Sequence, residues 1–195
     1  EDFLFIIKKD FYFENVRFLF SSDPTIRKFG AIQIENSSQI SIHNCTFNNI
    51  LTKNSVILYQ PDSSEIYSFL IIEECQFKNC AGGAFSSGNY TNHNYMNNQL
   101  DLIIESCHFE NNNANNGGAL YLESDRTIRI INSIFKNNTA TTENNSKINS
   151  HGNGGSIYIN KVLYLNIIGC IFEGNSAENK GQSIYSSEIN NEEIQ

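Results

Sequence analysis

Two glutamates, Glu73 and Glu105, stand four residues ahead of two phenylalanines, Phe77 and Phe109, inside the near-identical octapeptides LIIEECQF and LIIESCHF. Carboxylates brought side by side can raise one another's pKa or hold a hard cation such as Ca²⁺. Glu14 and His43 occupy the same place before Phe18 and Phe47, so the other reading is a solvated acidic stripe on an outer face. Ca²⁺ is the one cofactor these residues suggest. Acid–base catalysis requires carboxylates that converge, whereas Asp2, Asp10, Asp23, Asp62, Asp101 and Asp125 are scattered along the chain. N-x-S/T sequons begin at Asn36, Asn44, Asn89, Asn137 and Asn144. Asn89 and Asn144 fall in long polar stretches and are the better glycosylation acceptors, with Asn36 and Asn44 behind them. Asn137 belongs to a repeat column and is a poor one. Tyr59, Tyr121, Tyr158 and Tyr185 recur on one set of segments, where they could stack against sugar rings or pack beneath a loop.

The segments that must position these residues form a repeat. FYFENVRF (11 to 18), ISIHNCTF (40 to 47), LIIEECQF (70 to 77), LIIESCHF (102 to 109), IRIINSIF (128 to 135) and LNIIGCIF (165 to 172) align on Phe18, Phe47, Phe77, Phe109, Phe135 and Phe172. The positions two, five and seven before each anchor are apolar or small throughout. A period-two apolar pair, a break and a second pair describe two short strands separated by a bend. A third strand follows each anchor: GAIQI, SVILY, GGAF, GGALYL, GGSIYI and GQSIYS, mostly led by glycines that suit a tight bend or a close backbone approach. Anchor spacings of 29, 30, 32, 26 and 37 vary only through polar stretches, as a solenoid tolerates. The reading is all-β: a right-handed, single-stranded parallel β-helix of about six coils. Residues 1–195 form one domain, a segment of a longer protein or a filament subunit.

Stacking in register predicts that Leu19, Asn48, Lys78, Glu110, Lys136 and Glu173 form one outer column, alternating in sign over the last four. It also predicts an internal asparagine ladder two residues after the anchors, at Asn49, Asn79, Asn111 and Asn137. Cys45, Cys75 and Cys107 become small buried groups in one column. Cys80, off that column, is either a free thiol or a partner for Cys75. Neither end of the chain shows a cap, so strand edges there are expected to pair with flanking repeats or with a second copy.

The composition agrees with a patterned chain. Of 195 residues thirty are asparagine, yet aromatic and aliphatic residues recur among them at regular intervals, which excludes simple disorder. A net charge of -8 leaves no broad cationic surface for nucleic acid. No apolar stretch approaches the ~20 residues needed to cross a bilayer, so membrane insertion by this segment is not expected, and any leader or anchor would lie outside it. Five cysteines show no zinc spacing.

With FKNCAGGAF, FENNNANNGGALYL and FKNNTATTENN…GNGGSIYI in view, the chain resembles the FxxN and GGA[IL] repeats of chlamydial polymorphic outer-membrane proteins and the wider pectin-lyase-like β-helix superfamily. Phe109 with Asn112, Phe135 with Asn138 and Phe172 with Asn175 meet FxxN, and Ile50 and Cys80 break it; Gly82–Ala84 and Gly117–Ala119 meet GGA, and Ser156 and Gln182 depart. The asparagine-rich style also resembles large repeat-bearing surface proteins of protists. The resemblance implies a β-helical protein of the cell surface, often adhesive, and names no ligand. Polysaccharide lyases and hydrolases share the superfamily. The expectation is therefore a non-catalytic structural or adhesive module, with a carbohydrate-active enzyme or a carbohydrate- or Ca²⁺-binding surface domain as the alternative.

Overall fold

The computed structural model describes residues 3–19, 30–35, 39–52, 55–60, 67–87, 99–123, 125–142, 151–187 and 189–194. Their strands form four sheets in which every pairing is parallel and every neighbour comes from the adjacent coil. This is the predicted parallel β-helix. Face 1 has seven strands, from Phe3–Ile7 and Gly30–Ile34 through Ile184–Ser186, and contains the six third-strand segments. Face 2 has seven, from Phe11–Glu14 through Ile189–Ile194; face 3 has the six strands that carry the anchors; face 4 has three two-residue strands, Asn113–Ala114, Thr139–Ala140 and Ser176–Ala177. Sequence alignment missed the strand Phe3–Ile7, which has no anchor before it, and the strand Ile189–Ile194, which has none after it.

The anchors stack down the interior. Ring centroids from Phe18 to Phe172 are 4.7, 4.7, 5.1, 4.7 and 4.9 Å apart, with planes within 6° of parallel. These distances follow the ~4.8 Å strand spacing, so the sheets set the ring separation. Apolar columns from faces 1 and 2, among them Ile32, Ile57, Phe85, Leu120 and Ile157 opposite Ile42, Ile72, Ile104, Ile130 and Ile167, fill the rest of the core and are fully buried.

Two corners of the coil are made by residues in left-handed backbone. Asn15, Asn44, Glu74, Ser106, Asn132 and Gly169 turn the chain from face 2 to face 3, with φ between 48° and 64°. Asn49, Asn79, Asn111, Asn137 and Gly174 do the same after face 3, with φ between 54° and 64°. Asparagine tolerates this conformation because its short side chain bonds locally. The second set corrects the expected internal ladder: these side chains sit at an outward turn, and Asn79, Asn111 and Asn137 are exposed.

The internal ladder lies one residue later. Asn112 and Asn138 are buried, and each amide bridges two coils. The Asn138 Nδ2 group donates to Phe109 O (3.0 Å) and to Asn175 Oδ1 (3.2 Å), while its Oδ1 accepts from Asn112 N (3.1 Å) and Asn112 Nδ2 (3.0 Å). Cys80 takes the ladder position in the preceding coil: its backbone N–H donates to Asn112 Oδ1 (3.0 Å), and its thiol faces the carbonyls of Lys78 and Phe47. Ile50 ends the ladder in apolar packing.

The first rung is covered. Phe5 turns edge-on to Phe13 (5.6 Å, 73°) and Phe18 (6.1 Å, 86°), so face-to-face stacking stops at Phe18, and both rings are buried. Phe5 itself stays 44% exposed, and Phe3–Ile7, Phe11–Glu14 and Arg17–Leu19 are edge strands of the described sheets.

Candidate functional site

Because inward positions are spent on columns, chemistry is confined to outward ones. On face 2 the strands place Glu14, His43, Glu73 and Glu105 on consecutive rungs, as their spacing predicted. Glu73 is engaged by the preceding coil. Its carboxylate lies 3.4 Å from His43 Nδ1, and Glu74, from the adjoining turn, lies 3.7 Å from His43 Nε2. Holding Ca²⁺ between Glu73 and Glu105 would mean drawing Glu73 away from the imidazole. Among the described residues no group of three or more His, Cys, Asp or Glu side chains is arranged to hold a metal ion.

A second outward cluster joins Tyr67, Asp101 and Arg126. The Tyr67 hydroxyl donates to Asp101 Oδ2, Arg126 Nη1 donates to the same oxygen (3.1 Å), and the guanidinium lies 5.4 Å above the Tyr67 ring. The hydrogen bond to Asp101 raises the Tyr67 pKa above its ordinary value. Asp101 Oδ1 is buried without a hydrogen-bond partner. Tyr67 and Tyr164 are 47% and 49% exposed, and Thr127 is the register partner of both Asp101 and Tyr164. Sequence reasoning missed this cluster because the three residues lie in three different coils. Extending the anchor alignment one position upstream would have brought Asp101 beside Phe69 and Thr127.

The three described aspartates do not meet in one groove. Asp10 accepts from Gln39 N (2.9 Å), Asp101 is held as above, and Asp125 is buried against the Ser87 hydroxyl. Asp2, Asp23 and Asp62 lie outside the described residues. On face 1, Tyr121, Tyr158 and Tyr185 stack at 4.9 and 5.4 Å, but Tyr59 is not in their column: it points inward, fully buried, and donates to Ser68 Oγ (3.0 Å). Leu58 fills the tyrosine column in that coil. Rings stacked along the axis cover one another's faces, so the ladder offers sugars mainly ring edges.

The predicted charge column on face 3 is present, with Lys78 2.9 Å from Glu110 and Lys136 3.4 Å from Glu173. The hydrogen bond from Lys78 holds Glu110 below the usual carboxylate range. At the start of this face an open groove of about 410 Å³ is lined by Asn15, Arg17, Leu19, Asn44, Thr46 and Gln76. Of the four sequons put forward as acceptors, Asn44 is exposed beside this groove. Asn36, Asn89 and Asn144 lie outside the described residues.

All five cysteines are free, including Cys75 and Cys80. Cys45, Cys75 and Cys107 are buried in one column, each thiol facing the carbonyl two residues before it at 3.2–3.3 Å. A hydrogen bond donated to Cys107 and burial push the Cys75 thiol up to about 12; burial alone does the same for Cys80. Such thiols stay protonated and unreactive at neutral pH.

Residues 106–123 match the Chlamydia polymorphic membrane protein repeat. The matched segment runs from the turn at Ser106, through Phe109 and the ladder residue Asn112, to the Gly117–Ala119 bend and the face 1 strand that follows. No curated protein and no solved structure matches the chain.

Proposed function

We propose that this chain is a non-catalytic structural or adhesive β-helical module of an extracellular or cell-surface protein, joining further coils of the same protein or second copies through its ends. The observation that carries the reading is how the matched motif is used. Phe109, Asn112 and Gly117–Ala119 build the ring stack, the amide ladder and the bend, so what the segment shares with the surface-protein repeat is architecture. Association through the ends is supported by where apolar surface lies. Leu4, Phe5, Ile6, Phe11, Tyr12 and Leu19 in the first coil, and Leu163, Tyr164 and Ile171 near the last, make up nine of the eleven large exposed hydrophobics among the described residues. Concentrated apolar surface marks contact sites. Electron microscopy and sedimentation of the purified chain test this reading: end-to-end particles or concentration-dependent growth are expected. A strictly monomeric chain that also cleaves uronide polymers would overturn it.

A second reading, a carbohydrate-contacting face, is favoured by the exposed Tyr67 and Tyr164 rings flanking Asp101, Thr127 and Arg126 on face 2. Glycan-array binding lost on Tyr164→Ala would support it.

A further inference from the structure

Asn44 begins the sequon Asn44-Cys45-Thr46 and is the left-handed residue (φ 48°) of the corner between faces 2 and 3. Its side chain is exposed, and its Nδ2 donates to Asn15 Oδ1 at 2.5 Å. A primary amide carries two hydrogens. This bond uses one, so replacing the other by a sugar leaves the contact in place.

Asn44 stands at the edge of an open groove rather than on a bare turn. The adjoining groove, about 410 Å³, falls in the ~300–1,000 Å³ range of small-molecule sites. Arg17, Thr46 and Gln76 are register partners on successive rungs, so their polar groups form a row along its floor. Leu19, 64% exposed, supplies an apolar wall. Donors in a row beside one apolar contact suit a hydroxyl-rich pyranose carrying an N-acetyl methyl group. The sequon at Asn137 is placed differently: a Cβ at Gly174 would sit 2.2 Å from Asn137 Oδ1, so that exposed side chain leans over the glycine turn of the next coil.

We propose that Asn44 carries an N-linked glycan whose first sugars lie in this groove. The inference rests on the extracellular reading above. The co-reactant is a lipid-pyrophosphate-linked oligosaccharide. The Asn44 Nδ2–C1 bond forms, the C1–O bond to the pyrophosphate breaks, the lipid pyrophosphate leaves, and one amide proton passes to the base of the transferase. Transfer precedes folding, because Cys45 is buried and Thr46 is in the strand Thr46–Asn48 of the finished coil.

The test is secretion of the full chain, with a cleavable leader, from a eukaryotic host. Peptide N-glycosidase digestion in heavy-oxygen water then marks each occupied asparagine for mass spectrometry. Asn44 is expected to be marked, and release of its glycan from the folded protein is expected to be about tenfold faster in Leu19→Asp and Arg17→Ala variants, as loss of one good contact implies. Secreted protein with Asn44 unmarked overturns the inference alone. Failure of the chain to be secreted despite its leader overturns the extracellular reading. Marked Asn44 with unchanged release in both variants overturns the docking of the glycan in the groove.

Discussion

At the scale of single residues, neighbouring asparagines do opposite work. Asn138 is buried and holds four hydrogen bonds between coils, whereas Asn137 is an exposed left-handed turn. Truncating Asn138 strands the Asn112 donors and the Phe109 carbonyl, at roughly 1–3 kcal/mol for each buried group left unpaired. Asn138→Ala is therefore expected to lower unfolding free energy by about 2–4 kcal/mol, and Asn137→Gly to change it by less than about 0.5 kcal/mol, since glycine keeps the turn. Denaturant titration of both variants checks the contrast. The thiols give a pH signature. An unfolded thiol titrates near 9.0, but folding raises Cys75 and Cys80 to about 12, and Cys45 and Cys170 move the same way. A raised folded pKa contributes stability that is complete below the unfolded value and is lost as pH rises through the folded one. Melting temperature is accordingly expected to fall between about pH 9 and 12, and to fall less steeply in a Cys75→Ala, Cys80→Ala double variant. The sequence placed the cysteines inward but misplaced the ladder by one residue: asparagine satisfies both positions, and only backbone φ separates them.

At the scale of the strand and its bends, glycine marks where coils touch. A Cβ on Gly118 would meet Gly155 O at 2.3 Å, and one on Gly155 would meet Gln182 O at 2.0 Å. The obstructing atoms are backbone, so neither coil can yield without losing ladder hydrogen bonds. Gly118→Ala is expected to cost about 1–3 kcal/mol, as overpacking does, and calorimetric melting would reveal a shift within error if the contact were absent. The strands were legible in the sequence because their apolar columns keep register across coils. The outer clusters were less so. Lys78 and Glu110 follow from the alignment, but the Tyr67, Asp101 and Arg126 contact depends on how long side chains lean across rungs, which spacing does not encode.

At the scale of the whole molecule, each coil buries its apolar faces against its neighbours, so stability is a sum over contacts between adjacent coils. The consequence for function is a division of labour: inward columns repeat and hold the rod together, while outward columns and the apolar end surfaces are free to differ. Stacking along one axis is the claim on which every outer column depends, and electron–electron spin distances test it most directly. Leu19, Asn48, Lys78, Glu110, Lys136 and Glu173 occupy successive rungs of one outward column. With one nitroxide fixed at position 173 and the second moved from 110 to 78, 48 and 19, the account predicts a separation that lengthens by about 4.8 Å at each step. Distances that fail to grow in equal steps, or that shorten at any one of them, would contradict it.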